Sequence, residues 1–178
     1  MKKIIVFSLL SMLAFFTSCM MPQPSPPEWK MMKEGITLNL KADTQLNQSK
    51  GKAYTLYLVV YQLINPNMFN QLSQDTEGLA KLLESRIFDS SVASVKSMIV
   101  YPGSDITYRM DRAEGAKYVG VVAGYNVMEK ERMVRIFDVP VCVKFNNILH
   151  LSRKHVPGPL EINMALGPQQ IDVVKEKK

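Results

Sequence analysis

AYTLYLVVYQLI, residues Ala53 to Ile64, is the stretch from which the fold can be read. In an extended chain, successive side chains point to opposite faces. Leu56, Leu58 and Val60 therefore line one side, and Tyr57, Val59, Tyr61 and Leu63 line the other. A strand that is apolar on both faces needs cover on both, which places it in the middle of a sheet.

Reading outward from this strand gives more of the same. On the N-terminal side, Ile36, Leu38, Leu40 and Ala42 alternate with Thr37, Asn39, Lys41 and Asp43, the period of a half-buried strand. Polar residues from Thr44 to Lys52 form the loop between these two strands. On the C-terminal side, Asn65-Pro66-Asn67 ends the strand, and Met68, Phe69 and Leu72 suit a single helical turn. Asp75 or Thr76 can cap a helix over residues 76 to 88, with Leu79, Leu82, Leu83, Ile87 and Phe88 on the face laid against a sheet.

Strand patterns then resume in Val92 to Val100, in Ile106, Tyr108 and Met110 after a turn at Tyr101-Pro102-Gly103, and in residues 117 to 128. Met133 to Val139 and Val141 to Leu149 follow, separated by Pro140. Residues 150 to 159 read as loop. Leu160, Ile162, Met164 and Leu166 then turn at Gly167-Pro168 into Ile171 and Val173. About eight short strands with one main inserted helix predict a mainly β protein, a two-sheet β-sandwich. Gly120 and Gly124 lack the strand-to-helix turn and third glycine of a dinucleotide fingerprint, so close approach of packed sheets is the expected use.

The sequence ahead of the body is of another kind. Lys2 and Lys3 precede an apolar run from Ile4 to Phe16, which is of secretory length and too short to span a membrane. Thr17, Ser18 and Cys19 follow, resembling a bacterial lipobox, although Phe16 stands where Leu is commonest. The expected division is a signal peptide over 1–18, an acylated Cys19 with a Pro-rich linker over 19–35, and the body over 36–178. In lipobox chemistry the Cys19 thiol receives diacylglycerol and its new amine is acylated, an anchor that is in effect permanent. Pro22, Pro24, Pro26 and Pro27 favour extended geometry in the linker. Trp29, Met31 and Met32 suit either contact with the body or entry into headgroups.

Composition narrows the chemistry. The formal charge of +6 includes Lys2 and Lys3, leaving +4 beyond the signal peptide, spread thinly apart from the terminal Lys175-Glu176-Lys177-Lys178. No basic stripe is interleaved with aromatics, so nucleic acid is not an expected partner. With Cys19 acylated, Cys142 has no disulfide partner, and its place between Val141 and Val143 reads as a small buried hydrophobe.

His150 and His155 do not have zinc spacing and read as surface loop histidines. Ser152 has no nucleophile elbow around it. Asp105 with Asp111, or Glu129 with Glu131, lie mostly in charged stretches that read as solvated, not as acid–base pairs. No phosphate-binding loop is present. The reading is a non-enzyme without metal, cofactor or small-molecule substrate.

Three segments carry a family resemblance: LYLVVYQLINPNMFNQL from Leu56, YPGSDITYRMDRAEGAKYVGVVAGY from Tyr101, and the lipobox at Cys19. Together they resemble the TssJ (SciN) family, the outer-membrane lipoproteins of the type VI secretion system. That family usually carries an aromatic-Arg pair after the glycine strand. Here Glu131-Arg132-Met133-Val134-Arg135 lacks a Trp, so Met133 or Phe137 is expected to fill the core.

The resemblance implies a transthyretin-like sandwich held at the inner leaflet of the outer membrane by acyl chains, facing the periplasm. Met20, not aspartate, follows the cysteine, which fits outer-membrane sorting. It also implies binding to the periplasmic C-terminal domain of TssM through the loop between the first two strands. Here that loop comprises Asp43, Thr44, Gln45, Asn47, Gln48, Ser49, Lys50, Gly51 and Lys52. The competing expectations are a plain hairpin connection at this loop and, for the protein, an envelope lipoprotein carrying a small apolar ligand or lipid between its sheets.

Overall fold

The computed structural model describes residues 26–145 and 153–177. Cys19, His150 and Ser152 lie outside the described residues. Ten strands and three helices occur among those described: β1 (Met32–Ala42), β2 (Leu56–Leu63), α1 (Asn67–Leu72), α2 (Thr76–Leu83), β3 (Val92–Val100), β4 (Asp105–Arg112), β5 (Tyr118–Ala123), α3 (Lys130–Met133), β6 (Val134–Asp138), β7 (Val141–Phe145), β8 (Arg153–Pro157), β9 (Leu160–Leu166) and β10 (Ile171–Lys177). One four-stranded sheet has the order β10-β9-β1-β4, a second has β3-β2-β5-β6, and β7 with β8 forms a separate ribbon.

As its two apolar faces require, β2 is central, between antiparallel β3 and β5. One face turns to the core shared with the other sheet, where Leu56, Leu58 and Val60 are fully buried. On β1, Ile36, Leu38, Leu40 and Ala42 pair in parallel register with Leu160, Ile162, Met164 and Leu166 of β9, and all eight are buried. Each of the seven larger side chains contributes about 1.5–3 kcal/mol relative to exposure, and Ala42 less. The opposite face of this sheet is polar: Asn39 donates to Glu161 at 3.0 Å and Asn163 at 2.9 Å, and accepts from Thr107 at 3.0 Å.

The other face of β2 is covered by helices. Tyr61 donates its hydroxyl to the Leu82 carbonyl at 2.6 Å, and its ring meets Phe69 edge-on at 5.7 Å and Phe88 at 5.5 Å. Tyr61 pairs with Gly120 in register. A Cβ on Gly120 would sit 2.6 Å from the Phe69 ring. The glycine therefore admits a helix side chain, not a neighbouring sheet as expected. Gly124 likewise serves its own sheet, its amide donating to the Tyr57 carbonyl.

Gln62 is buried yet satisfied, donating to the Asp111 carbonyl at 2.9 Å and accepting from the Ala113 amide at 2.6 Å. It clips the two sheets together, which is how an amide is tolerated in a core.

Several expectations need correction. The main helix stops at Leu83 and does not continue to Phe88. Asp75 caps its start by accepting from the Gly78 amide at 2.7 Å, but Ser85 adopts φ 56° and turns the chain away. Ile87 is consequently 63% exposed, off the helix face where periodicity placed it. Residues 153–157, read as loop, form β8, so His155 sits on a strand and is partly buried. Cys142, read as buried, is exposed: among the described residues β7 pairs with β8 alone, in a ribbon apart from the two main sheets. β1 begins at Met32, ahead of the expected Ile36, with a bulge between the two. Met133 and Phe137 do fill the core beside the missing Trp, at 0% and 3% exposure.

Candidate functional site

The loop between β1 and β2 is anchored at its base and free at its tip. Leu46 is fully buried and plugs the loop into the core. Asp43 donates its amide to the Leu166 carbonyl at 2.8 Å and accepts at its own carbonyl from Gly103 at 3.0 Å. Its carboxylate accepts from the Gln45 amide at 2.7 Å, closing the first turn.

Asn47 is turned inward, 7% exposed, with φ 49°. Asn tolerates that left-handed region because its short side chain bonds locally. Here it donates to the Thr55 carbonyl at 3.0 Å and accepts from the Asn126 amide at 3.2 Å. Gln48 donates its amide to the Pro168 carbonyl at 2.7 Å and its side chain to Gln45 at 3.1 Å. Of the residues singled out from the sequence, Asn47 is thus a brace, and Gln48 shares that role through its backbone.

Beyond that base, Ser49 and Lys52 exchange both backbone hydrogen bonds, at 2.9 and 3.0 Å. Lys50 and Gly51 between them have φ 48° and 74°. Two consecutive positive φ values make the tight hairpin whose twist matches the strands, and Gly supplies one without a Cβ penalty. Lys50, Gly51 and Lys52 are exposed, and neither lysine has an ion pair among the described residues. Thr44 and Gln45 are exposed at the entry, while Ser49 is half-buried. Beside the loop stand Tyr54, 47% exposed, and Tyr101, 62% exposed. The site is therefore a cationic tip on a fixed base, with two exposed tyrosines on the segments that adjoin that base.

The sequence reading missed the braces supplied from far along the chain. Tyr125 donates to the Gln170 carbonyl at 2.8 Å, and burial drives its pKa well above the ordinary phenol value. Arg135 donates to the Glu131, Val134 and Ile171 carbonyls, each at 2.7 Å, and burial lowers its pKa. The turn between β9 and β10 thus binds the second sheet and the loop at once. The sole signal for this was the Gly167-Pro168 turn, which marks a reversal but not its partners.

At the other end of β1 the entering chain is held differently. Gly115 donates its amide to the Trp29 carbonyl at 2.7 Å, and Arg112 donates Nη2 to the Lys30 carbonyl at 2.7 Å while its guanidinium lies 5.3 Å from the Trp29 ring. Trp29 packs against the body, whereas Met31 is exposed, so of the three residues left open by the sequence Trp29 is the one that joins the core.

Asp105, Asp111, Glu129 and Glu131 are exposed, and Glu129 is occupied by Arg132 at 2.6 Å. Among the described residues, no three His, Cys, Asp or Glu side chains converge as a metal site would need. Nor is any helix among them long and apolar enough to cross a membrane.

Two open sheets, few helices and a braced loop define a mainly β protein. A family model described as type VI secretion lipoprotein (VasD, EvfM, TssJ) matches residues 34–154, and the chain belongs to that family. Comparison with curated protein sequences gives no match.

Among solved structures, the chain is similar to the T6SS lipoprotein TssJ1 from Pseudomonas aeruginosa, at 20% identity and TM-score 0.57 over 86% of this chain and 98% of that one. It is also similar to Serratia marcescens Lip, a membrane-bound component of the Type VI Secretion System, at 20% identity and TM-score 0.58 over 80% and 96%. A chain from the structure of the T6SS protein TssM C-terminal domain from EAEC matches at 18% identity and TM-score 0.53, over 84% and 98%. These likenesses establish the shared fold.

Proposed function

We propose that this chain is an outer-membrane-anchored lipoprotein of the type VI secretion trans-envelope complex, acylated at Cys19 and binding the periplasmic C-terminal domain of TssM through loop 43–52. Its two sheets are read as a transthyretin-like sandwich. The acyl chains sit in the inner leaflet of the outer membrane and the body faces the periplasm. The role is mechanical, a tether that transforms no substrate.

The observation that carries this reading is the loop itself. A hairpin tip of Lys50 and Lys52 projects from a base fixed by Leu46 and Asn47, so binding would require little ordering of the backbone. Tyr54 and Tyr101 beside it are of the residue type that most often anchors interfaces. In this reading the two tasks lie apart. The 11 residues of β1 place the tether entry and the loop roughly 30 Å apart, at about 3.3 Å per residue less the bulge.

The test is co-purification with the TssM periplasmic domain after Lys50→Glu with Lys52→Glu. Binding should be lost while the thermal transition is unchanged. Undiminished capture would remove the loop from the interface. In parallel, Cys19→Ser should release a folded chain from the membrane fraction, and retention there would contradict the anchor.

A further inference from the structure

Arg112 is 2% exposed, and its Nε and Nη1 have no hydrogen-bond partner. Among the described residues its polar contact is Nη2 to the Lys30 carbonyl, and its other charge-type contact is the Trp29 ring. No carboxylate pairs with it among the described residues. A guanidinium stays charged in a protein, and burying one without a counter-ion is unfavourable by several kcal/mol. Native structures rarely leave such a group unmatched without a purpose.

Beside Arg112 a cleft of about 350 Å³ opens between the entering strap and β8. Lys30, Lys154 and His155 stand around it with Arg112, and Glu28 is the one acidic residue on its wall. Met31, Met32, Val156 and Pro157 supply apolar surface. Glu28 is held by Lys30 at 3.0 Å, but both side chains are more than half exposed, so this pair is weak and displaceable.

We propose that this cleft is a binding site for a phosphate group carried on an apolar or aliphatic body, with Arg112, Lys30 and Lys154 as its cationic ligands. Three cations suit a tetrahedral anion of more than one charge better than a single carboxylate. The fork of Arg112 would give it two parallel hydrogen bonds. With the strap closed, Nε and Nη1 are shut off from solvent. Entry of the anion therefore shifts the segment carrying Trp29 and displaces Glu28 from Lys30. The site stands on the cleft alone and does not depend on acylation of Cys19 or on the loop. A lipid headgroup and a soluble phosphate ester share this chemistry.

Trp29 is the only tryptophan in the chain, so its emission reports the strap directly. The full-length chain in non-ionic detergent would be titrated with inorganic phosphate and, separately, with dihexanoyl phosphatidic acid, a phosphomonoester, using chloride at equal ionic strength as the control. The expected result is a saturable change in Trp29 emission with the phosphate probes and none with chloride. Lys154→Gln should weaken it about three- to tenfold and Arg112→Met should abolish it, whereas Glu28→Gln should strengthen it. Lipid binding at least about tenfold tighter than that of inorganic phosphate assigns the site to a headgroup; a smaller difference overturns the apolar body and leaves the phosphate alone as the ligand. A response no different from chloride overturns the proposal. So does a titration that Lys154→Gln leaves unchanged, even if Arg112→Met fails to fold.

Discussion

The two ends of β1 are built to opposite rules. At the loop end every inward group is matched: Leu46 is in the core, Asn47 is bonded on both sides, and Asp43 is tied to β9 and to the turn before β4. At the strap end a buried arginine is left with unmatched donors, and one backbone bond, one bond from the Arg112 side chain and one ring contact hold the entering chain. The first arrangement suits a surface that must keep its shape to be recognised. The second suits a segment that can shift. The same strand therefore carries a fully matched end and an incompletely matched one, and the proposed tether would use the first for its partner and the second for its anchor.

This contrast can be broken by mutation. The largest effect is expected from Leu46→Ala, which empties a fully buried site at the loop base and should destabilise by about 2–4 kcal/mol. Asn47→Ala should follow at about 2 kcal/mol, since it removes two side-chain bonds and forces a β-carbon residue into φ 49°. Denaturant melts would measure both, and a loss below about 0.5 kcal/mol for either would mean the base is not fixed.

Next is the pH dependence of the body between the ends. Burial raises the Tyr61 pKa to about 12, and that of Tyr125 is raised as well. Because the folded values exceed the unfolded one near 10, both phenols favour folding fully below about pH 10. That stabilisation is lost as pH rises from about 10 toward 12. Urea midpoints should be flat from about pH 7 to 9 and fall above about 10, with the fall reduced in Tyr61→Phe.

A smaller effect is expected at the strap. Trp29→Ala should lower stability by about 1 kcal/mol through the lost ring contact, while amide exchange at residues 43–55 stays as in the parent. The smallest belongs to the tip: Lys50→Glu with Lys52→Glu should change stability by less than about 0.5 kcal/mol.

What was legible in the sequence was local. Alternation in Ile36 to Ala42 and the doubly apolar Ala53 to Ile64 gave strands in the right places, with β2 central. The cap of α2 was narrowed to Asp75 or Thr76, and it is Asp75. What was not legible was set by partners distant in the chain. The parallel pairing of β1 with β9 joins residues more than 120 apart, and no periodicity encodes which strands meet. Ile87 and Phe88 kept helical spacing, but Ser85 had already turned the chain. Cys142 sat in an apolar run, and only the tertiary structure shows that it belongs to a ribbon apart from the two main sheets and is exposed.

At the candidate site, polarity marked residues 44–52 as a loop but could not separate braces from tip. Asn47 and Lys50 look equally soluble in sequence, and their roles diverge only once Thr55 and Asn126 are in place.

The central claim is that one end meets the partner and the other holds the anchor. Hydrogen–deuterium exchange of the full-length chain, with and without the TssM periplasmic domain, tests both ends at once. The account predicts new protection at the amides of residues 48–54 and none at residues 28–32. Protection confined to the strap, or none at the loop under saturating partner, would contradict it.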